Sequence, residues 1–205
     1  MINRWSDRDA AASVRRDAPA RDEAVALCLY ASRLLGQEPS LVLHGGGNTS
    51  VKALRRTVLG TEIPAIFVKA SGFDMATLAP EGLPALDLGY LQSLRALDDL
   101  DDEAMVNELR THVFDHRSPT PSIETLVHAF LAPSYISHTH ADAILALTNQ
   151  RGGRDLVREV LGRGGGARLR RARLPAGEGG RSGRRGVPAG PRPGADAPRD
   201  RKSVV

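Results

Sequence analysis

His138-Thr139-His140 is the sharpest local signal in the chain. On a strand, residues two apart point to the same face, so both imidazoles can reach one cation while Thr139 turns away. Two imidazole nitrogens suit zinc, and a catalytic zinc takes three protein ligands and keeps a fourth position open. The competing reading is a pair of partly exposed histidines at a strand end. No histidine follows His140, so a third imidazole has to come from upstream or is missing.

Three further segments carry residue types that chemistry uses. His44 to Ser50 (HGGGNTS) is a glycine turn followed by Asn, Thr and Ser. Small residues let a backbone approach an anion, and successive N–H groups can nest around a phosphate. Its spacing is neither the nucleoside-triphosphate loop nor the dinucleotide fingerprint, and an ordinary turn is the alternative. Lys69 to Gly72 (KASG) offers a hydroxyl and a glycine to the same anion, or is simply a strand-to-loop turn. Pro121 to His128 (PSIETLVH) places Glu124 and His128 four apart, on one face of a helix. An acidic residue in a first turn is also what the helix dipole favours with no function at all.

These segments need elements to hold them. Arg21 to Leu35 has apolar residues at helical spacing and stops at Gly36. Thr49 to Ala53 alternates like a strand, and Ile63 to Lys69 is the clearest strand in the chain. Leu88 to Leu97 and Asp102 to Phe114 read as surface helices. Thr120 as N-cap and Pro121 at the first helical position start another, running to about Leu131. Tyr135 to His140 reads as a strand leading into a helix from Ala141 to Thr148, and Leu156 to Leu161 as a last short helix. Strands alternating with helices indicate an α/β layered domain.

Composition bounds the rest. The 205 residues carry 28 Lys and Arg, 24 Asp and Glu, and one Cys. A lone Cys excludes a disulfide framework and fits a reducing cytoplasm. The net charge of +4 averages two unlike pieces: residues 1–150 hold 13 basic and 19 acidic residues, and residues 151–205 hold 15 and 5. No run approaches the roughly 18 uninterrupted apolar residues of a membrane span, and the start, MINRWSDRDAAASVRRDAP, has no apolar leader segment. From Arg163 onward the chain has 11 Arg, 10 Gly and 5 Pro, too little apolar surface to offset the entropy of ordering. With no aromatics to stack on bases it makes a poor nucleic-acid arm. RLPAGEGGR (Arg173 to Arg181), back-translated with GC-rich codons and read one nucleotide later, gives GFPLAKAV, and the final DRKSVV is what a common sequencing-library adapter encodes before a stop. Both point to a frameshift near Leu161 to Gly166 and an artificial end.

The motifs fall in a known order: Gly47-Asn48-x-Ser50, Ser71-Gly72, Pro121-Ser122-x-Glu124 with His128 four residues on, then His138-x-His140. From about Arg21 to Leu161 the chain resembles the class II aldolase/adducin family. The likeness is greatest to the aldolase half of the bifunctional rhamnulose-1-phosphate aldolase/short-chain dehydrogenases, through SRLLGQEPSLVLHGGGNTSVK, DDEAMVNELR, PTPSIETLVHAFL and HTHADAILALTNQ. The resemblance implies a three-layer α/β/α class II aldolase-like domain over residues 1–162, incomplete at its C-terminus. Residues 163–205 are then an Arg/Gly/Pro-rich disordered tail, out of frame.

The resemblance also implies a cytoplasmic homotetramer acting on a small-molecule sugar phosphate, with a divalent metal, normally Zn2+, held by three histidines. His138 and His140 match two of them, and the third lies in a downstream segment this chain lacks or has out of frame. Glu124 matches the catalytic acid/base, and Gly47, Asn48, Ser71, Gly72 and Ser122 match positions lining the substrate phosphate. No nucleic acid, membrane or nicotinamide site is expected. The expected reaction, in an intact form, is cleavage of L-rhamnulose 1-phosphate to dihydroxyacetone phosphate and L-lactaldehyde. Zinc would act as a Lewis acid on the ene-diolate, and Glu124 would shuttle a proton, helped by a raised pKa. The alternatives are an inactive truncated fragment, a sugar-phosphate epimerase using the same sites, and a non-catalytic adducin-like interaction module.

Overall fold

The computed structural model describes residues 3–17 and 22–162; the tail assigned to residues 163–205 lies outside them. In chain order the elements are α1 (Asp7–Asp17), α2 (Glu23–Gly36), β1 (Asn48–Arg56), β2 (Glu62–Val68), β3 (Ala85–Asp87), α3 (Leu88–Ser93), α4 (Asp102–Thr111), α5 (Thr125–Phe130), β4 (Tyr135–His138), α6 (Asp142–Thr148) and α7 (Gly153–Leu161). The strands form one sheet in the order β3-β2-β1-β4, and all three neighbouring pairs are antiparallel.

The apolar run predicted as the clearest strand is β2, and it is apolar on both sides because both sides are covered. Ala65 and Phe67 pack with Val25, Cys28 and Leu29 of α2. Ile66 and Val68 point the other way, toward Leu88 and Leu91 of α3, Met105 and Leu109 of α4, and Leu126 and Ala129 of α5. Two cores on opposite faces of one sheet make three layers, α/β/α, as expected. Burial raises the Cys28 thiol to about 12, so it stays protonated inside the first core.

β1 has the same two faces with different chemistry. Thr49 and Val51 turn toward α2, where the Thr49 hydroxyl meets Ser32 Oγ at 2.6 Å. Asn48, Ser50 and Lys52 therefore share the α5 face, and there the lining changes from apolar to polar. That stripe leads to the site.

One local expectation is corrected, one holds for a different reason, and one helix is new. The helix expected from Thr120-Pro121 begins at Thr125, because the backbone upstream pairs with the sheet instead. Ala70 bridges Pro121, and Ser71 N–H donates to Thr120 C=O at 3.0 Å. Gly36 does end its helix, but the reason is close approach. A Cβ there would lie 2.1 Å from Ala76 N. α1, which apolar spacing does not announce, packs through small and polar residues: Ala10, Ser13 and Asp17 are its buried positions. Asp17 accepts from Arg33 Nη1 of α2 at 2.8 Å. Burial pushes the Asp17 carboxyl up, but hydrogen bonds from Arg16 and Arg33 outweigh it and hold the group at about 2.

Candidate active site

β1 and β4 run antiparallel with Asn48 opposite His138, so the glycine turn before β1 ends beside the first histidine of the His-x-His pair. Gly47 sits there with φ of +69°, and a Cβ would come within 3.0 Å of both His138 O and Met75 Sδ. A larger residue would have to displace the strand that carries His138.

The other loops close on the same point. Gly45 lies against Gly72, whose carbonyl oxygen would be 3.4 Å from a Cβ at position 45. The Ala70–Pro121 bridge joins the Ser71-Gly72 turn to the Pro121-Ser122 segment. Lys69 holds these loops from beneath, 2 % exposed, with Nζ donating to Gly45 O at 3.2 Å, Ala70 O at 3.3 Å and Phe73 O at 2.8 Å. Burial lowers its pKa, while Glu124 and Asp74 pull the other way. Three carbonyls matched to three ammonium protons make Lys69 a strut between two loops.

Ser122 starts the turn that aims Glu124. Its Oγ accepts from Glu124 N–H at 3.2 Å and its carbonyl accepts from Thr125 Oγ1 at 2.5 Å. Glu124 then occupies the N-cap position of α5 without capping it. Its Oε1 instead meets His138 Nδ1 at 3.1 Å. That hydrogen bond, reinforced by charge, outweighs burial and holds the Glu124 carboxyl at about 2. The same contact raises the His138 pKa. A proton shuttle would favour a raised carboxyl; the structure lowers it, because an imidazole is its immediate partner. Glu124 is a carboxylate at neutral pH, ready as a base.

His140 does not share the strand. β4 stops at His138, and His140 lies in the following turn, fixed by its N–H to Leu41 O at 2.9 Å. The two rings are nonetheless 4.9 Å apart. Glu124, His138 and His140 each offer a ligand atom within 4.8 Å of the others'. Two imidazoles and a carboxylate are a donor set that catalytic zinc takes. Among the described residues, Glu124 is the group that lies within such reach of both imidazoles.

Of the five residues expected around a phosphate, Gly47 and Asn48 adjoin this cluster directly, and Ser71, Gly72 and Ser122 are on the two loops tied to it. Asn48 is fully buried; neither its Oδ1 nor its Nδ2 reaches full hydrogen-bond geometry, and its amide acts on the Glu124 carboxylate, which it helps keep ionised. A buried amide without a full partner is costly and rare outside sites that bind something. Sequence reading missed Lys69 as a strut, although a lysine ending an apolar strand was a visible cue. It also missed the buried pair of Ser50 Oγ and His128 Nδ1, 2.8 Å apart, for which the sequence held no signal.

Fold and site together define a layered α/β domain with a His/His/Glu cluster set among glycine loops. Residues 26–176 match the class II aldolase and adducin N-terminal domain, and the chain belongs to that family. It is similar to the N-terminal class II aldolase domain of a conserved protein from Thermoplasma acidophilum, with 36 % identity and a TM-score of 0.67, covering 79 % of this chain and 70 % of that one. It is also 37 % identical over 134 residues to the uncharacterized oxidoreductase YuxG of Bacillus subtilis (strain 168), covering 65 % of this chain and 19 % of that protein. The chain thus spans about a fifth of this relative's length. No helix among the described residues is long and apolar enough to cross a membrane.

Proposed function

We infer that the domain is a metal-dependent aldolase that cleaves a ketose 1-phosphate, L-rhamnulose 1-phosphate, to dihydroxyacetone phosphate and L-lactaldehyde. The observation that carries this reading is the convergence of Glu124, His138 and His140 within 4.8 Å. The buried amide of Asn48, opposite His138, lacks a hydrogen bond of full geometry beside the same cluster.

His138 and His140 would hold a divalent cation such as Zn2+, with the Glu124 carboxylate beside it, and the cation when bound supplies Lewis-acid stabilisation of charge developing on the substrate's oxygens. Glu124, ionised, accepts the proton of the substrate hydroxyl on one side of the scissile carbon–carbon bond. As that bond breaks, the electron pair stays on the carbon beside the carbonyl, and a proton returned there completes dihydroxyacetone phosphate. Asn48, Gly47, Ser71, Gly72 and Ser122 bind the phosphate and so hold the bond in reacting geometry. The Asn48 amide, next to Glu124, then gains a bound group as a full hydrogen-bond partner. A homotetramer in the cytoplasm is the assembly and setting this reading carries with it. The oxidoreductase in the relative's name describes a much longer protein and is not carried over.

The test is release of dihydroxyacetone phosphate, read by a coupled dehydrogenase assay, from L-rhamnulose 1-phosphate and from other ketose 1-phosphates. Zinc-dependent release supports the reading. A zinc-loaded protein that releases none from any of them sinks it, and formation of an epimeric sugar phosphate instead would assign the same site to epimerisation.

A further inference from the structure

His128 is 1 % exposed, titratable, and has no part in the reaction above, yet it is hydrogen-bonded to an equally buried hydroxyl, Ser50 Oγ, at 2.8 Å. Its place in the fold shows what it does. Asn48, Ser50 and Lys52 share one face of β1. Glu124, His128 and Leu131 follow each other along α5 and its caps. Ser50 bonds His128 and Lys52 Nζ donates to Leu131 O, while Asn48 and Glu124 stand at the site ends of the same two elements, both next to His138.

These positions stay in step because the two elements advance by comparable amounts. Two strand residues cover about 6.8 Å, while Glu124 to His128 covers about 6 Å and His128 to Leu131 about 4.5 Å along the helix. Leu126 and Ala129, the apolar contacts of α5 with the sheet layer, are not directional and would tolerate a small slide or turn of the helix. A hydrogen bond between two buried groups would not, since breaking it strands both. One residue of slippage rotates the helix by about 100° and carries Glu124 away from His138.

We propose that Ser50 and His128 are positioning residues: their buried hydrogen bond locks the register of α5 on β1 and thereby holds Glu124 against His138. The lock deepens the reading of Glu124 and His138 as the working pair and rests on it. It predicts that stability and site geometry respond in opposite orders to substitution. His128→Asn puts a polar atom where Nδ1 stands and keeps the bond to Ser50 while leaving a cavity. The double variant Ser50→Ala/His128→Leu fills the space and removes the bond.

The experiment uses the full chain and two readouts besides melting temperature. One is calorimetric affinity for Co2+. The other, in metal-free protein, is the downfield proton resonance of His138 Nδ1–H, which reports its hydrogen bond to Glu124. Expected are a His128→Asn variant that melts lower but keeps the resonance, with Co2+ affinity within about threefold of the parent. The double apolar variant should melt higher than His128→Asn, lose the resonance and bind Co2+ about tenfold or more weakly, the usual scale for groups that orient ligands. If the double variant retains both signals, the lock is wrong and the pair is packing. If the parent chain binds no Co2+ at all, the cation reading falls instead, and the His138 resonance still decides the lock.

Discussion

Glu124 Oε1 and His138 Nδ1 lie 3.1 Å apart, one at the N-cap of α5 and the other at the last residue of β4. The pairing keeps the carboxylate ionised, puts its proton affinity under the control of an imidazole, and couples the candidate catalytic group to the candidate metal donors. The consequences are separable by substitution.

Glu124→Gln keeps an oxygen at the same place and removes the ability to take a proton. Turnover of ketose 1-phosphate should fall by about a hundredfold or more. Zinc content, measured by elemental analysis, should fall much less. Equal loss of both would make Glu124 a ligand with no proton-transfer role.

His138→Ala should release the Glu124 carboxyl from about 2 toward its ordinary 4.5, because the first cause of the lowering is the His138 hydrogen bond. His140→Ala should leave it low. A carbon-detected titration of the Glu124 side chain in the two metal-free variants separates them. Both variants should lose zinc binding.

The pH dependence of stability should carry the mark of His128. Burial lowers its pKa in the folded chain from 6.5 to about 4, so between these values the unfolded chain binds more protons. Stability from this group is complete above about 6.5 and is lost as pH falls toward 4. Between pH 7.5 and 5 the loss is about 2 kcal/mol, at about 1.4 kcal/mol per unit. The His138 pKa is raised, so its contribution runs the other way: present below 6.5 and lost as pH rises. Urea unfolding of the parent and His128→Asn across this range isolates the first effect, which should be absent from the variant.

Gly36→Ala should destabilise by about 3 kcal/mol or more, since a Cβ 2.1 Å from Ala76 N meets backbone and cannot be accommodated by a side-chain rotation. A helix-propensity argument predicts the opposite sign, because alanine is the better helix former. Chemical denaturation decides between them.

Much of the framework is legible without the structure. β2 declares itself by six consecutive residues, Ile63 to Val68, free of charge, and α2 by apolar spacing that ends at a glycine. The order of the Gly-Asn, Ser-Gly, Pro-Ser-x-Glu and His-x-His motifs marked the residues that converge. α1 escaped notice because its buried face is Ala10, Ser13 and Asp17, and small or charged residues leave no apolar period. The start of α5 was misplaced because Pro121 is as good at a sheet bridge as at a helix start, and the choice depended on Ala70, far away in sequence.

The sequence by itself determined which residue types are available and where the strongly periodic segments α2, β1, β2 and α4 lie, because side-chain periodicity records local burial. Only the tertiary structure decided that Glu124 meets His138, that it lies within 4.8 Å of the His140 donor atom, that Lys69 ties two loops together, and that Ser50 holds His128. Each of these depends on strand order and on the register of a helix against a sheet. They are set by packing and hydrogen bonding between segments whose separation along the chain carries no trace of their distance in space.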